Sequence, residues 1–320
     1  MTVSIIIAVK IWQNNLEECV AKCLELDYDD FEILILPDEP FKRDFSSSRV
    51  AVSVVPTGPV GPARKRDISA EHAKGRILAF LDDDAYPRRD WLANAAGYFQ
   101  DERVAALGGP AVTPETDSLR QKAGGRIFAS FLVSGGFTYR YRPRPKRDVF
   151  DYPSCNFLIR ACVFKEAGGF NTRFWPGEDT LLCRRITSEM GYRIVYAPEC
   201  LVYHHRRPVF REHLRQVARY ALHRGYFVKR FPENSRRPAY FVPSIFVLML
   251  LLGAAGAGLS TAFARLYFSC LAAYLTIAGI CSLSKTLGLI PLVFSGIIIT
   301  HITYGVFFLK GLCARALSEE

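Results

Sequence analysis

The 320-residue sequence predicts an α/β domain with a mostly parallel sheet flanked by helices, followed by a C-terminal region of membrane helices. Two observations predict this division. Buried strands alternate with amphipathic helices over about the first hundred residues, with short connections between them. The last third of the chain contains three long uncharged runs, at 239–259, 266–284 and 286–309. We therefore expect a polar N-terminal domain and an apolar C-terminal one.

The spacing of apolar residues predicts the individual elements. Continuous apolar runs favour buried strands, and apolar residues three or four apart favour helices. The proline-containing basic run 139–147 excludes regular structure, and is either a solvated loop or a loop that touches an anionic acceptor or lipid headgroups. The predicted strands are 3–9, 31–36, 50–55, 77–81, 104–108, 154–160, 191–197 and 200–203, and the predicted helices are about 15–26, 63–74, 90–99, 161–167 and 178–186.

Three consecutive carboxylates, Asp82, Asp83 and Asp84, directly follow the predicted strand 77–81. Open α/β sheets bind their ligands at the carboxyl ends of the strands. Adjacent like charges repel each other, so stability alone does not account for the triplet. A divalent cation that carries a diphosphate would neutralise the charge, because hard cations bind carboxylate and phosphate oxygens together. The alternative is a polar turn that ends the strand before Pro87.

The net charge of +10 is concentrated before the uncharged runs, where residues 206–237 contain ten Lys/Arg and two acidic residues, with aromatic residues interleaved. As a helix, this segment is suited to an anionic membrane surface. Nucleic-acid binding is a rival interpretation. The runs of 21, 19 and 24 residues that follow decide against it, because each can cross a hydrocarbon core about 30 Å thick. We expect membrane lipids and no nucleic acid as partners.

The positive-inside rule predicts that the basic segment and the N-terminal domain stay cytoplasmic, in a multi-pass protein of the inner (plasma) membrane. Nine cysteines without a metal-binding pattern, and the absence of a charged leader, fit a reducing compartment. Three spans would place the C-terminus outside, whereas Lys310 and Arg315 favour the cytoplasm. The predicted organisation is a domain at 1–205, an interfacial segment at 206–237, about three transmembrane helices at 238–310 and a tail at 311–320.

Several short motifs occur in a fixed order along residues 3–230, and together they are more specific than any one of them. The motifs are VSIIIAV at 3–9, FEILILPD at 31–38, GPARKRD at 61–67, FLDDD at 80–84, GGF at 168–170, GED at 177–179 and His204. With these motifs in this order, the chain resembles an inverting family 2 glycosyltransferase of the GT-A fold with a C-terminal membrane region. Such enzymes move a sugar from a nucleotide-diphosphate donor to an acceptor hydroxyl.

The resemblance implies which residues would bind the nucleotide. Ala8 and Lys10 would lie near it, and Asp38 would form a hydrogen bond with the base. Two positions depart from the family pattern, since Pro37 replaces the usual acidic residue and Asp67 replaces the usual asparagine. The identity of the nucleobase in the donor therefore stays open.

The resemblance also implies a cation site. Arg66 would sit by the diphosphate, and Asp82–Asp83 would contact the ribose and the diphosphate. Asp84 would bind Mg²⁺ or Mn²⁺. His204 would be a further metal ligand, with His205 as the alternative.

The base that takes the acceptor proton is expected to be Asp179, which follows glycines that let the backbone approach a ligand. Trp175 offers a face on which a sugar can stack, and Glu178 would hold the acceptor. The simpler interpretation is that Glu178 and Asp179 cap a helix, because acidic groups favour its N-terminal end. Capping and catalysis are compatible.

We therefore expect a membrane-bound, metal-dependent glycosyltransferase that acts on a lipid-linked or cell-surface glycan acceptor. A processive polysaccharide synthase is one alternative, because residues 216–220 (QVARY) approximate the Gln-x-x-Arg-Trp motif of those enzymes. A catalytically silent membrane scaffold with the same fold is another. A nucleotidyltransferase would need a glycine-rich phosphate loop after the first strand, and residues 8–12 (AVKIW) do not supply one.

Overall fold

The computed structural model describes residues 1–41, 43, 45 and 49–318. The end of the predicted tail, 319–320, lies outside this part of the chain. The strands of the described residues are β1 (Val3–Ala8), β2 (Phe31–Leu36), β3 (Ala51–Val54), β4 (Ile77–Asp82), β5 (Ala85–Pro87), β6 (Val104–Gly108), β7 (Ala111–Val112), β8 (Arg147–Val149), β9 (Asn156–Arg160), β10 (Arg193–Tyr196) and β11 (Val202–His204).

Some helices of the described residues are short, and others are long enough to cross a bilayer. A π-helical segment, Arg185–Glu189, continues the helix that begins at Glu178. The α-helices are α1 (Asn14–Leu24), α2 (Pro62–His72), α3 (Trp91–Ala96), α4 (Leu119–Ala129), α5 (Phe131–Ser134), α6 (Ala161–Glu166), α7 (Glu178–Arg184), α8 (Arg211–Arg230), α9 (Pro232–Ser235), α10 (Pro238–Ala257), α11 (Thr261–Ser282) and α12 (Leu289–Cys313).

The chain divides into two compact units. The first comprises residues 1–112 and 139–205, and the second comprises residues 113–138 and 206–318. The sequence predicts a boundary at 205 but does not predict that 113–138 leaves the first unit. The reason is tertiary, because in this segment Ile127 is fully buried in one apolar cluster with Val293 and Ile297 of α12.

The first unit is built on an eight-stranded sheet with the order β3-β2-β1-β4-β9-β6-β10-β8. Four of its seven pairings are parallel and three are antiparallel. The mostly parallel sheet predicted from the sequence is therefore confirmed. The antiparallel pairings arise because β9 runs opposite to its two neighbours, β4 and β6, and because the edge strand β8 runs opposite to β10.

The core of the first unit lies where α1 packs on the sheet. β1, β2 and β4 carry continuous apolar runs, as strands buried on both faces should. Leu16, Cys19, Val20 and Cys23 line one face of α1, and all four are fully buried. The helical spacing of these residues in the sequence accounts for that face.

A second, three-stranded sheet has the order β5-β11-β7. The sequence does not predict β5, because it is three residues long and directly follows the acidic triplet. In this sheet β11 pairs antiparallel with β5, so that His204 is opposite Ala85. The small sheet therefore brings the end of the first unit back to the residues that follow the acidic triplet.

The second unit is helical. α10, α11 and α12 are long and apolar enough to be candidate membrane spans, which agrees with the three uncharged runs of the sequence. α8 carries the basic, aromatic sequence predicted to lie at a membrane surface. α4 begins with a capping box in which Ser118 and Gln121 exchange hydrogen bonds, and this fixes its start at Leu119.

Candidate functional site

The parallel register of three strands defines one edge of the site. Ala8, the last residue of β1, is paired with Leu36 on β2 and with Asp82 on β4. The chain leaves all three strands at the same edge, so the residues that follow them are neighbours. The Asp38 backbone N–H also donates to the Lys10 carbonyl at 3.1 Å. Ala8, Lys10, Asp38 and Asp82 thus lie at one strand edge.

Two carboxylates and an imidazole meet at this edge. The Asp84 Oδ1 and His204 Nε2 atoms are 3.0 Å apart, because Ala85 and His204 are paired in the small sheet. Asp82, Asp84 and His204 each offer a ligand atom, and these atoms lie within 4.8 Å of one another. Carboxylate oxygens and an imidazole nitrogen suit Mn²⁺, and the carboxylates also suit Mg²⁺. The residues present therefore fit a divalent cation.

The electrostatics of the triplet favour a cation. Burial, together with the neighbouring Asp84 and Asp82 carboxylates, raises the pKa of Asp83 to about 7. Asp84 is 7% exposed, so its charge has little access to solvent. A bound cation would directly offset the repulsion between these neighbouring carboxylates.

Helix α1 and the N-cap residue that precedes it contribute two side chains that the sequence analysis missed. The Gln13 side-chain amide donates to Asp83, and the Glu18 Oε2 atom is 2.9 Å from His205 Nε2. The His205 backbone N–H donates to the Asp84 carbonyl at 2.9 Å. His205 therefore faces Glu18, whereas His204 faces Asp84. The polar face of the amphipathic helix α1 was the available signal, but its partners are fixed only by the fold.

Arg66 connects the triplet to the Gly-Glu-Asp segment. Its guanidinium lies 2.8 Å from Asp82 Oδ1 and 3.1 Å from Glu178 Oε1. Glu178 is 5% exposed, and its Oε2 atom accepts the Gly177 backbone N–H at 3.0 Å. Burial raises the pKa of Glu178, and the charge of Arg66 opposes that shift. Both carboxylate oxygens of Glu178 therefore have partners within the protein.

Asp67 holds the Gly-Gly-Phe turn. Its Oδ1 accepts the Phe170 N–H at 2.7 Å, and its Oδ2 accepts the Asn171 N–H at 3.1 Å. Gly168 and Gly169 have φ values of 75° and 71°, a conformation that favours glycine. An asparagine at position 67 has one acceptor oxygen and could replace only one of these hydrogen bonds. The departure from the family pattern therefore has a structural role in this chain.

Asp38 is paired with a buried lysine. The Lys65 Nζ atom lies 2.6 Å from Asp38 Oδ1, and it donates to the carbonyls of Val9 and Leu36 at 2.8 and 3.1 Å. Lys65 is 3% exposed. The sequence analysis gave no role to Lys65, because a lysine beside Arg64 and Arg66 has the pattern of a solvated helix face.

Asp179 and Trp175 flank the start of α7. The Asp179 Oδ1 atom accepts the Thr180 N–H at 2.8 Å, and Asp179 keeps partial exposure. Trp175 is 46% exposed. Asp179 follows Glu178, whose carboxylate contacts Arg66, and Arg66 in turn contacts Asp82 of the triplet. Trp175 lies on the loop before α7. The catalytic and binding roles of these residues stay predictions.

The Glycosyl transferase family 2 model matches residues 4–168, just over half of the chain. The chain therefore belongs to glycosyltransferase family 2. The matched region contains the strand edge, the acidic triplet and the Asp67 turn as far as Gly168.

Two curated relatives and one solved structure are similar to this chain. A pre-mycofactocin glycosyltransferase of Mycobacterium tuberculosis is 31% identical over 176 residues, which are 55% of this chain and 36% of the relative. This chain thus spans just over a third of that relative's length. A glucosyl-dolichyl phosphate glucuronosyltransferase of Haloferax volcanii is 24% identical over 219 residues, which are 64% of this chain and 69% of the relative.

The solved structure is the mannosyltransferase PcManGT from Pyrobaculum calidifontis in complex with GDP-Man and Mn²⁺. It aligns with a TM-score of 0.62 and 19% identity, over 98% of this chain and 88% of that one. At this identity the likeness shows the fold alone, which is that of the GT-A glycosyltransferases.

Proposed function

We propose that this protein transfers a sugar, with inversion, from a nucleotide-diphosphate sugar to a lipid-linked acceptor at the cytoplasmic face of the inner membrane. The observation that carries the proposal is the cluster of Asp82, Asp84 and His204, whose ligand atoms lie within 4.8 Å of one another at the strand edge. Arg66 connects this cluster to Glu178 and so to Asp179. The strand edge thus supplies groups for the donor and a candidate base for the acceptor.

The donor would bind along the strand edge. Asp38 would accept an N–H of the base, with its carboxylate oriented by Lys65. Ala8 and Lys10 would lie beside the nucleotide, and Asp82 and Asp83 would contact the ribose and the diphosphate. The Arg66 guanidinium, which is ion-paired with both Asp82 and Glu178, would also contact the diphosphate.

Asp84 and His204 would hold a Mg²⁺ or Mn²⁺ ion, with Asp82 in reach of the same ion. When bound, the ion neutralises the negative charge that develops on the departing diphosphate. The solved structure of the Pyrobaculum calidifontis mannosyltransferase contains Mn²⁺ with GDP-Man, which supports a metal-dependent reaction here.

Asp179 would take the proton from the acceptor hydroxyl. The hydroxyl oxygen forms a bond to the anomeric carbon as the bond from that carbon to the diphosphate oxygen breaks, and the electron pair leaves with the diphosphate. Attack on the face opposite the leaving group inverts the configuration. Trp175 would stack on a sugar ring, and Glu178, predicted to hold the acceptor, would also fix Arg66 beside Asp82.

The acceptor class is proposed from the membrane region. Three candidate membrane helices and a basic helix accompany the catalytic unit in one chain, which suits an acceptor confined to a membrane. The Haloferax volcanii relative is named for a dolichyl phosphate acceptor, which supports a lipid-linked one here.

A donor panel tests the proposal. The full-length protein in detergent, with Mn²⁺ or Mg²⁺, is incubated with nucleotide sugars that differ in base and sugar, and release of the nucleoside diphosphate is measured. We expect turnover of at least one donor, and we expect Asp179→Asn to reduce transfer about 10²- to 10⁴-fold, the usual contribution of a positioned base. Asp148→Asn, on the exposed strand β8, is the control.

Failure with every donor would favour the silent scaffold, and unchanged turnover in Asp179→Asn would show that Asp179 is not the base that takes the acceptor proton.

The length of the product separates single transfer from a processive synthase. In the QVARY segment the Gln216 amide lies 3.5 Å from the Tyr220 hydroxyl, within α8. A ladder of polymer lengths would favour the synthase.

A further inference from the structure

The helices α10 and α11 form an antiparallel hairpin with a closed end and an open end. Near the connecting residues 258–260, a Cβ at Gly256 would lie 2.6 Å from the Phe263 ring, so the two helices are in close contact there. Further along, the Phe246 and Tyr274 rings are 4.2 Å apart. The open end is where the chain enters at Pro238 and leaves at Ser282.

Both ends of α12 lie at the open end of this hairpin. Only six residues, 283–288, separate the end of α11 from the start of α12 at Leu289, and Leu289 is buried in one apolar cluster with Ala278 of α11. Towards its other end, the Phe308 ring is 5.0 Å from the ring of Phe241, near the start of α10. The Gly305 carbonyl also accepts the Ser244 hydroxyl at 3.1 Å.

A helix that crossed the membrane beside the hairpin would have a different set of contacts. α12 has 25 residues, or about 37 Å at 1.5 Å per residue, so its far end would reach the loop 258–260. Instead, His301 in the middle of α12 contacts both helices: its Nδ1 atom lies 2.8 Å from the Tyr274 hydroxyl, and its ring lies 5.9 Å from the Phe246 ring. α12 therefore lies across the open end of the hairpin.

The other neighbours of α12 are basic helices. α4 packs along its first half, where a Cβ at Gly296 would lie 2.3 Å from Ile127. α8 packs along it from its middle to its C-terminal end, where His213 Nε2 is 2.9 Å from Thr300 Oγ1 and Lys229 Nζ donates to the Ala314 carbonyl at 2.6 Å. The exposed cations of α4 and α8 are Arg120, Arg126, Arg211, Arg215, Arg219, Lys229 and Arg230.

These contacts make a transmembrane α12 physically unfavourable. If α12 crossed the bilayer, α8 would run beside it and carry exposed arginines into the hydrocarbon, where a charged side chain is expensive. At the level of the headgroups the same side chains remain hydrated and face lipid phosphates. Apolar length alone cannot separate these two cases, because a long apolar helix can also be buried between amphipathic neighbours.

We propose that, among the helices of the described residues, only α10 and α11 span the membrane, and that α4, α8 and α12 form a three-helix platform in the plane of the membrane surface. The C-terminus then lies on the same side as the basic segment 206–237. Lys310 and Arg315 fall on that side too, in agreement with the positive-inside rule. The inference rests on the membrane attachment in the proposed function, but not on catalysis.

Cysteine labelling in sealed vesicles tests the proposal. Ser260→Cys, in the hairpin loop, and Ser318→Cys, in the tail, are each made in the full chain, and a membrane-impermeant maleimide is applied to inside-out and right-side-out vesicles. Mass spectrometry assigns the labelled peptides. The exposed Cys162 of the first unit marks the side of the strand domain, and labelling after detergent gives the total for each position.

We expect position 318 to label in the same vesicles as Cys162, and position 260 in the opposite ones. Labelling of 318 together with 260 would show that α12 crosses the membrane and would overturn the proposal. Labelling of 260 together with Cys162 would overturn it as well, because the hairpin would then not span. Nucleoside diphosphate release is scored separately on the same vesicles, so a failure of the proposed chemistry is distinguishable from a failure of the topology.

Discussion

Two histidine environments, one partly buried and one buried, show how the two units use polar groups differently. In the first unit, His204 faces the Asp84 carboxylate at 3.0 Å, and Asp82 and Asp83 lie beside it. In the second unit, His301 has a neutral partner on each ring nitrogen, the Tyr274 hydroxyl at 2.8 Å and the Leu132 carbonyl at 2.9 Å. His204 belongs to a group with excess negative charge, whereas His301 belongs to a group without net charge.

The difference separates a candidate cation site from a packing contact. Carboxylates held together against their own repulsion can exchange a protein partner for a cation. A histidine with both nitrogens bonded to neutral groups gains nothing from a ligand, and it fixes how α5, α11 and α12 pack. The following predictions test whether the two environments differ in this way.

The largest expected effect is on the acidic cluster. Asp84→Asn removes the charge of a proposed cation ligand, so we expect divalent-cation-dependent donor turnover to fall about 10²- to 10³-fold, the size seen when one group that stabilises developing charge is removed. His301→Gln, in the neutral environment, should leave the dependence of turnover on cation concentration unchanged. Cation titrations of nucleoside diphosphate release check both. If turnover depended on cation concentration equally in wild type and Asp84→Asn, the His204 environment would be no more a cation site than the His301 environment.

The effect expected at Arg66 is on the free energy of unfolding rather than on turnover. Arg66→Met leaves Glu178 buried without its ionic partner, and breaking a buried pair in this way typically costs about 3–5 kcal/mol. The double variant Arg66→Met/Glu178→Gln removes both charges and should recover part of the loss. Thermal unfolding of the full chain in detergent measures the cycle. Equal destabilisation by the single and double variants would contradict a coupled pair.

The smallest expected effect is a pH dependence in the helical unit. Burial lowers the pKa of His213 on α8 to about 4, whereas an unfolded histidine has a pKa of about 6.5. Below pH 6.5 the unfolded state binds a proton that the folded state does not, so stability is complete above this pH and falls as the pH drops towards 4. At pH 5.5 the loss is on the order of 1 kcal/mol.

Thermal unfolding of wild type and His213→Gln at pH 7.5 and 5.5 checks this dependence. Glutamine keeps a hydrogen-bonding group near Thr300 but has no titration in this range. We expect the variant to lose less stability than wild type between the two pH values. An equal loss in both proteins would assign the pH dependence to other groups.

Much of the first unit could be predicted from the sequence because its signals are local. The continuous apolar runs of β1, β2 and β4 identify buried strands, and the position of Asp82–Asp84 at the end of β4 predicts a ligand edge. The side chains that these residues contact could not be predicted from the sequence. Lys65 looks like part of a solvated basic helix until the fold places it beside Asp38.

The second unit shows the limit of the same reasoning. Length and lack of charge make α12 a candidate span, and these properties are the same for a helix across the bilayer and for one between amphipathic neighbours. The segment 113–138 has no sequence pattern that assigns it to the helical unit. The contacts of Ile127 with Gly296 and of Leu132 with His301 are long-range, so no local propensity encodes them.

The sequence by itself determined the α/β class, the acidic edge and the apolar C-terminal region, because these depend on the local order of apolar and charged residues. Only the tertiary structure decided that His204 rather than His205 faces Asp84, since the pairing of β5 with β11 sets which of two adjacent histidines points there. It also decided that Glu178 is bonded to Arg66. Contacts between residues more than a hundred positions apart depend on how the elements pack, and packing is a property of the whole fold.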